Sequence, residues 1–96
     1  MLTGKQKRFL RAKANRIKPI FQVGKSGVND NMLKQISEAL EKRELIKIRI
    51  LQNNLDDKET VAEQIRQGTE SEIVQIIGNQ IVVYKESEDN KQIELP

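Results

Sequence analysis

Apolar residues along this chain recur with two spacings, one typical of amphipathic helices and the other typical of strands. Spacings of three and four residues place apolar side chains on one side of a helix, whereas alternation or a short run bounded by Pro, Gly or Asn indicates a strand. The resulting order, α-β-α-β-α-β-β, predicts an α+β fold of two layers with a mixed four-stranded sheet. The predicted helices cover 3–16, 30–43 and a third segment after the polar turn 52–54, and the predicted strands cover 19–23, 45–51, 72–77 and 80–85.

The same pattern predicts which sides of these elements are buried. In the strand 45–51, three isoleucines point to one face, and Lys47 and Arg49 point to the other. The charged face would either add two cations to a binding surface or be the wet side of an exposed sheet. The apolar stripes of the three helices are expected at Leu2, Phe9, Leu10 and Ile17, at Leu33, Ile36 and Leu40, and at Val61, Ala62 and Ile65.

Polar residues and glycines indicate where several elements begin and end. Thr3 is the expected N-cap of the first helix, and Asp56 with Glu59 resembles a capping box at the start of the third. Gly68 is expected at the C′ position that ends the third helix. Gly78-Asn79, between the last two strands, predicts a two-residue type II′ hairpin turn.

The composition is that of a small domain with a lean core. Of 96 residues, 36% are hydrophobic and 32% are charged, and there is no Cys, His or Trp. We expect one domain over residues 1–86, followed at 87–96 by an acidic polar tail that is either frayed or a short edge strand. The lack of cysteine, of a secretory signal and of a stretch long enough to span a bilayer favours a cytoplasmic protein.

The net charge of +3 conceals a strong asymmetry along the chain. Residues 1–31 contain eight Lys and Arg against one acid, which gives +7, and residues 32–96 contain nine against thirteen acids, which gives −4. Positive charge concentrated at one end attracts polyanions over a Debye length of about 8–10 Å. The asymmetry therefore favours a nucleic acid as the partner.

A short glycine loop, Gly24-Lys25-Ser26-Gly27, separates the first predicted strand from the second helix. Glycines let the backbone approach a ligand closely, and the N-terminus of a following helix favours an anion. KH domains clamp the backbone of single-stranded RNA with a G-x-x-G loop. We expect the amides around Ser26 and Gly27 and the Lys25 ammonium to hold phosphates. Cations of the first segment are expected to supply neighbouring contacts, namely Lys5, Lys7, Arg8, Arg11 and Lys18.

Aromatic side chains are scarce, since Phe9, Phe21 and Tyr84 are all that the chain contains. Stacking on aromatic rings is the commonest way in which proteins hold unpaired bases. We therefore expect recognition to be dominated by the RNA backbone and by RNA shape.

Other classes of function have weaker support. Without His or Cys, the chain lacks the commonest general base and the usual nucleophile pairs. Asp56, Asp57 and Glu59 could be the Mg²⁺ ligands of a small nuclease, but acids at a helix start are better explained as cap and dipole partners. A basic amphipathic first helix could also serve a protein or membrane surface, although Lys13 interrupts its apolar side. We expect no enzyme activity, no cofactor or metal, no small-molecule substrate and no membrane partner.

Several segments of the chain, in order, resemble the CRM domain, whose name stands for chloroplast RNA splicing and ribosome maturation. The likeness extends over roughly residues 1–86, and the most similar type is the free-standing single-domain form of bacteria. The segments are Leu2-Thr3-Gly4-Lys5-Gln6-Lys7, Ile17-Lys18-Pro19-Ile20, Val23-Gly24-Lys25-Ser26-Gly27-Val28, Glu44-Leu45-Ile46-Lys47-Ile48 and Ile76-Ile77-Gly78-Asn79-Gln80-Ile81-Val82-Val83-Tyr84.

This resemblance implies a more specific function than the residues alone indicate. CRM domains have the same topology, are similar to the C-terminal domain of translation initiation factor three, and bind RNA through a basic face and the G-x-x-G loop. Bacterial members associate with precursors of the large ribosomal subunit and are implicated in its assembly. The resemblance thus implies ribosomal RNA as the partner, with a general RNA-binding, RNA-chaperone or translation-associated role as the alternative. Nothing in the sequence demands more than a monomer, so we expect one. The loop role falls on Gly24, Lys25, Ser26 and Gly27, and the basic-helix role falls on Lys5, Lys7, Arg8 and Arg11 without a residue-by-residue match.

Overall fold

The chain folds into three helices and four strands in the predicted order, in a computed structural model that describes residues 1–96. The first helix ends two residues earlier than predicted, and the second and fourth strands each end one residue earlier. None of the helices has both the length and the apolar character needed to cross a membrane. The elements are α1 Gly4–Ala14, β1 Pro19–Val23, α2 Asp30–Arg43, β2 Leu45–Ile50, α3 Lys58–Thr69, β3 Glu72–Ile77 and β4 Gln80–Tyr84.

The four strands form one mixed sheet, as predicted, and the structure shows their order within it to be β1-β2-β4-β3. β1 runs parallel to β2, and β4 is antiparallel to both β2 and β3. Since β1 and β2 are parallel, both end at the same edge of the sheet. The hairpin between β3 and β4 lies at that edge too, because the Ile50 N–H donates to the Asn79 oxygen at 2.7 Å. Gly78 is the one residue of the hairpin turn with positive φ, as a type II′ turn requires.

Helices cover both faces of the sheet, so the fold has three layers rather than the two that we expected. The predicted alternation in β2 is confirmed, because Ile46, Ile48 and Ile50 are buried in the core that the sheet forms with α2 and α3. The opposite face is also apolar in part, since Leu45 and Val82 are buried with residues of α1. A two-layer fold would leave those side chains exposed, and α1 covers them instead.

The start of α1 follows the prediction. Thr3 caps the helix, its side-chain oxygen accepting from the Gln6 N–H at 3.1 Å while the Gln6 side chain accepts from the Thr3 N–H at 3.0 Å. This reciprocal pair satisfies two donors that a helix start otherwise leaves without partners.

Both predicted ends of α3 are wrong. The N-cap is Asp57 rather than Asp56, and its carboxylate accepts from the Thr60 N–H at 2.7 Å. Gly68 lies inside the helix, which ends at Glu70 in the left-handed conformation. The reason for glycine at position 68 is tertiary, since an added Cβ would lie 2.5 Å from Leu33 Cδ1 of α2. Gly68 therefore allows α2 and α3 to pack closely.

The segment 87–96 is neither an edge strand nor a free end. It contains no helix or strand, yet Ile93 is buried in the core under α1. The fully buried Glu44 carboxylate accepts from the N–H groups of Ser87, Gln92 and Ile93 at 2.6–2.8 Å. Glu41 accepts from further donors of the same segment. The backbone N–H groups of segment 87–96 are thus bound by the Glu41 and Glu44 carboxylates, and not by a neighbouring strand of the sheet.

Candidate nucleic-acid interface

The glycine loop forms a tight turn at the edge of the sheet where β1 and β2 end. The Gly27 N–H donates to the Gly24 oxygen at 3.0 Å, and Gly27 has a φ of +69°, which favours glycine. In this conformation the Gly27 amide hydrogen is used within the turn, so the amide is not free to donate to a phosphate, and its predicted role stays a prediction. Lys25 and Ser26 are exposed, and their N–H groups have no acceptor within the protein. The free anion donors of the loop are these two amides and the Lys25 ammonium.

A neighbouring loop holds the glycine turn in place from behind. The Asn54 side-chain amide donates to the Gly24 oxygen at 3.0 Å, and the Leu51 N–H donates to the Val23 oxygen at 2.9 Å. A Cβ on Gly24 would lie 3.3 Å from the Asn53 side-chain oxygen, a tight contact from which the Asn53 side chain would have to shift by a few tenths of an ångström. These contacts fix the turn before any ligand arrives.

The N-terminus of α2 is a poorer anion site than the sequence indicated. Asn29 caps it by accepting from the Met32 N–H at 2.8 Å, and Asp30 lies in the first turn. The Asp56 carboxylate is also close, 3.7 Å from where a Cβ on Gly27 would stand. Both carboxylates oppose a phosphate at this helix end. Because of these two carboxylates, the preferred position for a phosphate is next to Lys25 and Ser26 and not at the N-terminus of α2.

α1 crosses the sheet from one edge strand to the other. At its start, the Leu2 N–H donates to a Glu72 carboxylate oxygen of β3 at 3.0 Å, and its far end leads into β1. The C-terminal segment lies along one side of α1, where the Gln6 side chain donates to the Pro96 oxygen at 3.2 Å. That segment is bound by Glu44, which immediately precedes β2. The other side of α1 therefore faces the end of the sheet that carries the glycine loop.

The helical period divides the cations of α1 between these two sides. Leu10 points into the sheet, and Lys13 lines a groove on the side of the C-terminal segment, its ammonium 5.6 Å from the centre of the Phe9 ring. At about 100° per residue, Lys7 and Arg11 project from the opposite side of Leu10, toward the loop end of the sheet. Both are half-buried, whereas Lys5, Arg8 and Lys13 are exposed.

The structure brings together only part of the predicted cation set. Lys7 and Arg11 lie on the side of α1 that faces the loop, and Arg8 lies next to Arg11 toward solvent. Lys5 projects from the outer surface on the other side. Lys18 precedes the five-residue strand β1 and Gly24 follows it, so the six steps between them separate Lys18 from the loop by roughly 20 Å.

Arg49 and Lys47 are cations of this face that the candidate set left out. They alternate with the buried isoleucines of β2, so they lie on the α1 face of the sheet, with Arg49 exposed and Lys47 half-buried. The alternation in the sequence showed that they share a face. It did not show that α1 covers the same face, which is what places them beside Lys7 and Arg11.

None of the eight cations between residues 5 and 25 forms an ion pair. The ion pairs of the chain join the N-terminal amine to Glu72, Arg66 to Glu63, and Lys91 to Glu86. The basic surface therefore keeps its full charge for a partner.

Comparisons with known proteins show which proteins this chain resembles. Residues 2–85 match the sequence model of the CRS1 / YhbY (CRM) domain. A relative from Bacillus subtilis, named "Probable RNA-binding protein YqeI", is 69% identical over 100% of both chains. An "RNA-binding protein" of Haemophilus influenzae is 35% identical over 99% of this chain and 95% of its own. The solution structure of a hypothetical protein from Staphylococcus aureus matches with a TM-score of 0.83 and 61% identity over 100% of both chains.

The match to the family model covers nearly the whole domain, from the N-cap region of α1 to the end of β4. It includes the glycine loop, the basic helix and the hairpin, which are the segments that carry the resemblance in the sequence. The chain belongs to the CRS1 / YhbY (CRM) domain family.

Proposed function

We propose that this protein binds RNA, holding the backbone with the glycine loop and with the cations of α1 that face it. The observation that carries the proposal is the set of unpaired cations between residues 5 and 25, part of which the fold gathers on the loop side of α1. The free N–H groups of Lys25 and Ser26 suit a phosphate oxygen, and the Lys25 ammonium adds a full charge at the same place. The names of the relatives, which are called RNA-binding proteins, support the same partner.

The target that we propose is ribosomal RNA in precursors of the large ribosomal subunit, where the protein assists assembly as a monomer in the cytoplasm. This step rests on the resemblance to the free-standing bacterial CRM proteins. A general RNA-chaperone or translation-associated role is the alternative, and it uses the same surface.

We further propose that the protein acts by binding alone. The chain has no His or Cys to act as a general base or nucleophile. The acids at the start of α3 have another role, since Asp57 is the N-cap. The pKa of Asp57 is lowered because its carboxylate accepts hydrogen bonds from the side chain and the N–H of Thr60, as expected for an N-cap.

Replacement of Lys25 by Asp tests the loop. Lys25 is exposed and unpaired, so the fold should survive while RNA affinity falls about tenfold or more, because one attraction becomes a repulsion. Lys42→Asp is the matched control, because Lys42 is also exposed and unpaired but lies in the last turn of α2, at the opposite end of the sheet. Equal losses in the two variants would mean that only net charge matters.

Salt dependence measures how many phosphates are neutralised. If the surface neutralises about four phosphates of a single strand, log K should fall with log salt at a slope of roughly −3, and Lys25→Asp should reduce that slope by about 0.7.

Sucrose-gradient sedimentation of lysate then tests the target. Enrichment of the parent with large-subunit precursors, lost in Lys25→Asp, is the expected result. A parent protein that stays at the top of a low-salt gradient would leave only the general role.

A further inference from the structure

The half of the α1 face that lies beyond the helix is uncovered. Four residues stand there in one row across the sheet, because Gln22 pairs with Arg49, Arg49 with Gln80, and Gln80 with Ile77. Residues paired in a sheet point to the same face, and Arg49 lies on the α1 face. Gln22 and Arg49 are exposed, Gln80 is half-buried, and Ile77 is 55% exposed. The row spans three strand spacings, about 14 Å.

The chemistry of this row differs from that of an ordinary wet sheet face. It presents two carboxamides, one guanidinium and one apolar side chain, and none of these side-chain polar groups forms a hydrogen bond or an ion pair within the protein. Carboxamides carry donors and an acceptor together, which is the pattern that matches base edges, and the guanidinium plane also stacks on bases. The row contains no carboxylate that would repel a polyanion.

Cations flank the row on two sides. Gln22 lies two residues before Gly24, so the glycine loop with Lys25 adjoins the β1 end of the row. Lys7 and Arg11 of α1 face the row from the covered half of the sheet, with Lys47 between them and Arg49. Positive charge on two sides of the row and planar side chains within it fit a single strand of nucleic acid, in which phosphates and bases are both accessible.

We propose that the open row Gln22–Arg49–Gln80–Ile77 is a base-contacting platform for single-stranded RNA, and this inference rests on the proposed function. The phosphates of the strand lie against Lys25 on one side and against Lys7 and Arg11 on the other. The bases lie over the row, where the two glutamines and Arg49 meet their edges. Recognition by this platform includes the bases, in contrast to the expectation from the sequence that backbone and shape dominate.

A single strand fits this platform and a duplex does not. In an A-form duplex the base edges lie inside the grooves, the major one too narrow for side chains. The wide, shallow minor groove displays 2′-hydroxyls and base edges, but the Watson–Crick edges of the bases are already paired in a duplex. Flat side chains on an open sheet would therefore not reach those Watson–Crick edges. The row therefore predicts a preference for unpaired segments over helical RNA of the same length and charge.

The test compares 12-nucleotide U, A and C homopolymers and a 12-base-pair duplex, with the parent and with Gln22→Ala/Gln80→Ala. The parent should bind one homopolymer about tenfold more tightly than the others and should bind the duplex more weakly. The double variant should lose that preference while keeping the salt slope, since it removes no charge. Gln35→Ala/Gln67→Ala, at two exposed glutamines on the α2 and α3 side of the sheet, is the control and should behave as the parent.

Nuclear magnetic resonance locates the contact directly. The side-chain amide signals of Gln22 and Gln80 should shift on addition of the preferred homopolymer, and those of Gln35 and Gln67 should not. Equal affinity of the parent for all homopolymers, or shifts confined to α1 and the loop, would overturn the platform and leave backbone binding intact. Absence of binding to every RNA would overturn the platform together with the proposed function.

Discussion

Glutamine in place of Glu44 should loosen the C-terminal segment and destabilise the fold. Glu44 is fully buried, and its two oxygens divide three backbone donors, one accepting from Ser87 at 2.8 Å and the other from Gln92 at 2.6 Å and Ile93 at 2.7 Å. Burial alone would raise the pKa of Glu44, but these three N–H groups outweigh it and the pKa is lowered. The charged form is therefore the one that the fold uses.

The cost of Glu44→Gln follows from the geometry of the amide that replaces the carboxylate. The amide has one oxygen, which can still accept from two of the donors, while its NH₂ group faces the third N–H. An unpaired buried donor costs about 1–3 kcal/mol, and weakening two charge-assisted bonds to neutral ones adds about 1 kcal/mol. The sum is about 3 kcal/mol. For a domain of this size that lowers the melting temperature by about 12–24 °C. Residue 44 has the same positive φ in the parent and in Glu44→Gln, so the cost of that backbone conformation cancels in the comparison.

Thermal unfolding followed by circular dichroism measures the shift, and amide exchange at positions 87, 92 and 93 shows where the structure opens. Glu94→Gln is the control, because Glu94 is exposed in the same segment and accepts no hydrogen bond. A Glu44→Gln protein that melts with the parent, with unchanged protection at those three amides, would refute the argument that a buried carboxylate holds this segment.

Three further outcomes test other parts of the fold. Acid should weaken the C-terminal segment, because the Glu88 N–H and neighbouring donors lower the pKa of Glu41 from 4.5 to about 2. The stability that these bonds contribute is complete above pH 4.5 and is lost as the pH falls toward 2. Amide exchange in segment 87–90, measured against pH, should show this loss. Gly68→Ala should destabilise by about 1–2 kcal/mol in urea unfolding, as overlap with Leu33 exceeds the gain of about 1 kcal/mol in helix propensity, and should become stabilising in a Leu33→Ala background. Tyr84→Phe should raise stability by about 1 kcal/mol, because the buried Tyr84 hydroxyl has no partner, and a lower melting temperature would contradict this.

Sequence periodicity was sufficient for the elements and for their buried faces. The isoleucines of β2 alternate with cations, and Leu10 of α1 lies within a helical apolar stripe, so local spacing determines which side each element buries. The loop was predictable for a similar reason, since a glycine turn between strand and helix is a local feature. The face of the sheet that α1 covers was not predictable, because it depends on how a separate helix docks. For this reason the three layers were missed.

Other errors have tertiary causes as well. Gly68 carries a local signal for a helix end, but its actual role is to admit Leu33 from another helix, 35 positions earlier. The segment 87–96 looks unstructured by composition, and what orders it is a buried carboxylate more than 40 positions away. The turn bond from the Gly27 N–H to Gly24 was not predicted either, because it depends on a conformation that residue spacing does not specify.

The fold keeps the charge asymmetry of the sequence instead of cancelling it. Glu41 and Glu44 bind the C-terminal segment before β2 begins, whereas the glycine loop lies beside the end of β2, about 20 Å further along six residues. At physiological ionic strength, a charge acts over a Debye length of about 8 Å, so these carboxylates barely weaken the field at Lys25. Had the two acids instead paired with Lys7 or Arg11, the same composition would present a nearly neutral surface. Internal use of carboxylates at one end of the sheet is therefore what leaves the other end free to attract a polyanion.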